Sequence, residues 1–142
     1  MAIAEFNKFD IAVSQLETAL GLYFDGGDRF SVITLAGAAE EILGKELQSR
    51  GQDNALDTDK AATSAIAKAL LGRPVSPEAV VKLANRVRNE LKHMDPGGSK
   101  TVSMDPEDEA NAILDRAILN YWRLTEDETP SMARFLRERY SG

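Results

Sequence analysis

The chain contains no cysteine. That excludes disulfide staples, thiolate nucleophiles and Cys-ligated zinc or iron–sulfur centres, and it suits a reducing compartment. Histidine is almost as scarce: His93 stands alone, so a di-iron site built from two Glu-x-x-His elements is excluded even though Glu90 and His93 supply one of them. No apolar run approaches the ~20 residues needed to span a bilayer. The opening MAIAEFNKFD lacks a basic region followed by an apolar stretch, which predicts no signal peptide. Together these shortages predict a cytoplasmic protein with no membrane association. Positive charge is also in deficit, with 17 Lys and Arg against 23 Asp and Glu and a net charge of −6. Such a balance opposes broad, sequence-independent affinity for nucleic acid, which depends on neutralising phosphates, so any RNA contact has to come from a local patch.

The sequence is rich in helical periodicity. With 142 residues and no repeat or low-complexity tract, it predicts a single domain over residues 1–142. Phe6, Phe9, Val13, Leu16, Leu20 and Tyr23 recur at steps of three and four, predicting a first helix over 4–24 that ends at Asp25-Gly26-Gly27-Asp28. A second helix over 29–49 carries Phe30, Ile33, Ala36, Leu43 and Leu47. Gly37 and Gly44 lie seven apart within it, on nearly one face, and predict close approach of a neighbouring helix. Glu40 and Glu41 are expected in solvent, with one of them available to orient a cation from a neighbouring helix.

A polar connector over 52–58 leads to an alanine-rich third helix over 59–71, ended by Gly72-Arg73-Pro74. The fourth helix opens with Ser76 as N-cap, Pro77 at the first helical position and Glu78 against the positive end of the dipole. Its stripe of Val80, Ala84, Val87, Leu91 and Met94 is expected in the core, and Asp95-Pro96 closes it. After an exposed loop over 97–104, Asp105-Pro106-Glu107-Asp108-Glu109 opens a fifth helix that buries Ala110, Ile113, Ala117 and Tyr121. The acids there read as an N-cap and dipole complement, not a metal cluster, and no metal or cofactor is expected. Thr129-Pro130 opens a sixth helix with Met132, Phe135 and Leu136. The predicted fold is all-α: an up-and-down helical bundle with helices 1, 2, 4 and 5 as a four-helix core and short helices beside it.

Chemistry concentrates in Val81–Pro96, where Lys82, Arg86, Arg88 and Lys92 accompany His93 against the two acids Glu90 and Asp95. At about 100° per residue, Lys82, Arg86, Asn89 and His93 share one helical face, while Arg88 lies roughly 140° from His93 on the flank with Lys92. Placed in the last helical turn, His93 would have its imidazolium favoured by the dipole, moving its pKa toward neutrality.

Arg88-Asn89-Glu90-Leu91-Lys92-His93 resembles the HEPN superfamily signature: an arginine, a polar follower, and a histidine after four to six intervening residues. LAGAAEEILG and RNELKH together are similar to a group of uncharacterised bacterial HEPN-like proteins, over roughly residues 6–124. The resemblance implies a HEPN-like bundle and a metal-independent ribonuclease in which the RNA's own 2′-hydroxyl attacks the adjacent phosphate. It casts His93 in proton transfer, Arg88 as the cation on the phosphorane and Asn89 as a positioning group, with Arg86, Lys92 and Lys82 binding substrate. Motif grammar selects Arg88, whereas helical geometry selects Arg86. Since one histidine cannot easily act as both acid and base, a symmetric homodimer that juxtaposes two copies of helix 4 is expected. Toxin, phage-defence or stress roles are implied, with an antitoxin-like protein as partner. Other members of the superfamily do not cleave, and bind a nucleotide or a partner protein instead. Where some HEPN toxins carry a modifiable tyrosine two residues after the histidine, this chain has Asp95, which argues against neutralisation by that route.

Overall fold

The computed structural model describes residues 2–72 and 76–141, without the side chains at positions 63, 67, 71, 77, 80, 83 and 84. The expected core positions Val80 and Ala84, and the helix-ending Arg73-Pro74, lie outside the described residues. The protein is all-α, with no strand among the described residues. Six helices follow in order: α1 Lys8–Phe24, α2 Arg29–Ser49, α3 Ala55–Leu71, α4 Pro77–Glu90, α5 Pro106–Thr125 and α6 Pro130–Tyr140.

Helix starts follow from side chains that satisfy the otherwise orphaned first-turn N–H groups. The Asn7 carboxamide accepts from the Phe9 N–H, so α1 begins at Lys8, four residues later than expected. Phe6 therefore precedes the helix and is exposed, not part of the seam. Asn54 and Asp57 form a reciprocal capping box, which starts α3 at Ala55 inside what reads as a polar connector. Asp105 accepts from the N–H groups of Glu107 and Asp108, as its place before an acidic first turn predicts. The Ser76 hydroxyl, in contrast, donates to the Glu78 carboxylate and caps no backbone group.

Helix α2 is the centre of the molecule. It packs along both α1 and α5, burying Val32, Ile33, Ala36, Ala39, Leu43 and Leu47. Cross-helix contacts set the directions. Arg29 meets Glu107, Gly37 meets Ile113 and Glu40 meets Arg116, so α2 and α5 run the same way. On the other side, Tyr23 bonds Asn111 while Phe9 stacks on Tyr121, which makes α1 antiparallel to α5. Small residues in the shared core, among them Ala12, Ala19, Ala36, Ala110 and Ala117, let these helices approach closely. Larger ones (Leu16, Leu20, Leu43, Leu114 and Phe135) fill the remaining space, each worth about 1.5–3 kcal/mol on full burial. Phe30, expected inside, is half exposed, and Tyr121 is only partly buried against the core.

Two polar groups are buried within this apolar centre. Glu40, expected in solvent, is 4% exposed and receives Arg116 through Nε and Nη2 at 3.1 and 3.3 Å. Burial of a carboxylate needs such a partner, because leaving it unpaired costs several kcal/mol. Asn120 accepts from the Ala55 N–H at 2.8 Å and donates to the Glu40 carbonyl at 3.2 Å. One side chain of α5 thereby ties the first turn of α3 to the middle of α2. Helix α3 in turn packs against α4. Among the described residues of α4, Val87 enters the shared core and Leu91 packs against it.

Candidate functional site

The end of α4 differs from the sequence expectation in a way that decides what each residue can do. The helix stops at Glu90, and Leu91–Lys92 form a closing turn in which the Lys92 N–H bonds the Asn89 carbonyl. A tight turn follows downstream. Asp95-Pro96-Gly97-Gly98 is a β-turn, with the Gly98 N–H on the Asp95 carbonyl at 3.0 Å and Gly97 at φ +76°, the value a type II turn requires at that position. His93 lies beyond the helix, not in its last turn, and Met94 is exposed instead of in the core. The imidazole stands open to solvent.

Lys82, Arg86 and Asn89 are exposed on one face of α4, spaced by four and three. Arg86 Nη2 donates to the Ser103 carbonyl at 3.3 Å, which draws the end of the 97–104 loop against this face. Lys92 is exposed on the closing turn. Five of the six expected site residues are thus solvent-facing, and the exception is Arg88.

Arg88 turns inward. Its side chain is only 10% exposed, and its aliphatic stem crosses α2 at Gly37. A Cβ placed on Gly37 would stand 2.7 Å from Arg88 Cδ and 2.9 Å from Cγ, so the missing side chain is what makes room. The expected notch is real, but it admits a side chain where an approaching helix backbone was expected. Gly44 is similar: its open space faces the Asn54 and Asn120 carboxamides. At its tip Arg88 Nη2 stands 3.9 Å from Glu41, while its buried Nε has no hydrogen-bond partner among the described residues. Asn85, one turn earlier on α4, likewise has a buried, unpartnered Oδ1.

Glu41 is the hub of this cluster. It also receives Lys45 at 3.1 Å along α2. The Lys45 hydrogen bond, and after it the charges of Arg88, Lys45 and Lys92, hold the Glu41 carboxyl below its ordinary range against the opposing effect of partial burial. Of the two adjacent glutamates, the sequence leaves open which one meets a cation from another helix; both do, Glu40 through Arg116 and Glu41 through Arg88. The readable signal was the Gly37-x-x-x-Glu41 spacing, which puts a notch and an acid on one face of α2 one turn apart.

The arrangement joins Arg88 to α2 and leaves His93 free, so the two ends of the motif face different surroundings. Among the described residues no group of three or more His, Asp or Glu is placed to hold a metal ion, and no helix is long and apolar enough to cross a membrane. No family model, curated protein or solved structure matches this chain.

Proposed function

We propose that the protein is a HEPN-type helical bundle that acts as a symmetric dimer and cuts RNA without a metal ion. The observation that carries this reading is the exposed His93, the sole imidazole of the chain, set just beyond a cationic helical face in an otherwise acidic protein. Opposed α1 and α2, with α5 running alongside α2, accord with an up-and-down bundle that has α4 as its fourth member.

In the proposed reaction one His93 accepts the proton of a 2′-hydroxyl, whose oxygen attacks the adjacent phosphorus. His93 of a second copy donates a proton to the departing 5′-oxygen. The products are a 2′,3′-cyclic phosphate and a 5′-hydroxyl. Exposure favours Arg86 over Arg88 as the cation that meets the phosphorane charge, with Lys82 and Lys92 along the strand and Asn89 positioning it. Arg88 is then a positioning residue that holds the end of α4 on α2. A cytoplasmic toxin or a defence or stress factor would use such chemistry.

The test is cleavage of RNA by purified protein in EDTA, with analysis of the ends. Cyclic phosphate ends are expected, with activity abolished in His93→Ala and lowered in Arg86→Ala. Cleavage that persists in His93→Ala contradicts the mechanism. One observation favours a second reading, a non-catalytic module binding a nucleotide or partner protein: the arginine that best fits the motif is already engaged by Glu41. That reading expects saturable nucleotide or partner binding and no cleavage.

A further inference from the structure

Away from α4, a groove of about 600 Å³ lies between the start of α3, the middle of α5 and the end of α6. Trp122 and Tyr140 flank it, 50% and 67% exposed, over an apolar floor that includes Ile118 and Leu136. It does not end at the first turns of α3. Asp59, which lines it, is followed at steps of three and four by Ala62, Ile66 and Leu70, all exposed, the last two at 59% and 78%. At 3.6 residues per turn these share one stripe, which prolongs the groove along α3 for a total of about 22 Å. Single exposed apolar residues are ordinary, but two on the groove and two on the helical stripe that leads from Asp59 point to an interaction site.

Charge selects the occupant. Both arginines in the groove are engaged internally, Arg116 by Glu40 and Arg139 by Asp115 at 2.7 Å. Asp59 and Glu128 have no cationic partner among the described residues, so the rim is left negative. A second copy of the chain docking by this face would bring a rim of the same negative sign against it. A partner helix with an apolar stripe flanked by lysine or arginine meets both features, and the half-exposed Trp122 ring can take a cation on its face as Tyr140 already takes Arg139 at 5.6 Å. We propose that this surface docks a basic amphipathic helix of another protein. The inference is independent of the chemistry assigned to α4.

Trp122 is the only tryptophan, so its emission reports on the groove directly. The probe is a synthetic Leu/Lys peptide of about 16 residues with helical three-four spacing, long enough for the stripe at ~1.5 Å per residue. A Leu/Glu peptide of the same pattern is the control. Saturable binding of the Leu/Lys peptide with a blue shift is expected, and none of the control. The double variant Ile66→Ser, Leu70→Ser should weaken binding about ten-fold or more. Asp59→Lys with Glu128→Lys should reverse the preference between the peptides. All four positions are exposed, so these variants retain the fold. Binding of both peptides or of neither overturns the proposal, as does Leu/Lys binding that the serine variant leaves unchanged. A concentration-dependent dimer that the serine variant abolishes in sedimentation would make a second copy the occupant and overturn it equally.

Discussion

Arg88 lies across α2 in the space that Gly37 leaves open, with Ile113 of α5 on the far side at 3.1 Å from where a Cβ would be. A glycine inside a helix ordinarily costs about 0.5–1 kcal/mol relative to alanine. Here the contact reverses the sign. Gly37→Ala is expected to destabilise by about 1–3 kcal/mol through overpacking. In an Arg88→Ala background the same change should cost less or become stabilising. Urea unfolding of the two singles and the double measures the coupling, and additivity would show that the notch is not what seats Arg88.

The two candidate arginines should part company in the same assay. Arg86 is exposed, and Arg86→Ala should leave the urea midpoint nearly unchanged while it lowers RNA cleavage. Arg88→Ala removes a buried stem and leaves Glu41 facing only lysines, so stability and activity should fall together. Arg88→Ala that loses all cleavage at unchanged stability would return Arg88 to the reacting phosphate.

Asn120 holds three helices at one point, and its loss should be felt in α3 first. Asn120→Ala orphans the Ala55 N–H, at about 1–3 kcal/mol if left buried without a partner, while the Glu40 carbonyl loses its second donor and keeps its bond within α2. Hydrogen exchange should show the first turn of α3 opening before α1, α2 and α5. Uniform loss of protection across all helices would contradict this.

The Glu41 cluster predicts an acid response of definite sign. Its carboxyl lies below the ordinary 4.5 in the folded protein, so the unfolded chain takes up its proton first as the pH falls. The stabilisation is complete above about pH 4.5 and is lost as pH drops through the folded value. Glu41→Gln should therefore be less stable than the natural protein at pH 7, and the gap should close as the pH falls below the folded value. A gap that is constant with pH would remove Glu41 from the ion-pair account.

What could be read in advance was what repeats or what caps. The all-α class, the bounds of α2 and the start of α5 follow from local spacing and from Asp28 and Asp105 acting on their own neighbours. The misjudged features depend on partners distant in sequence. Glu40 is buried because Arg116, 76 positions on, reaches it. Asn120 has no local signature, since both its partners belong to other helices. His93 is the local exception: α4 stops at Glu90 although RNELKH contains no breaker. Arg88 was legible as the motif's arginine, but its inward path depends on the absent side chain of Gly37, whose spacing from Glu41 marks a notch beside an acid without saying which residue fills it.

The central claim is that two copies of His93 make one reaction centre, and mixing tests it most directly. His93→Ala protein is titrated into natural protein at constant total concentration, above the level at which dimers form, and RNA cleavage in EDTA is followed. If both imidazoles are needed, activity per total protein falls as the square of the natural fraction. A linear fall would mean that each chain acts with its own histidine alone, and would contradict the paired-imidazole mechanism.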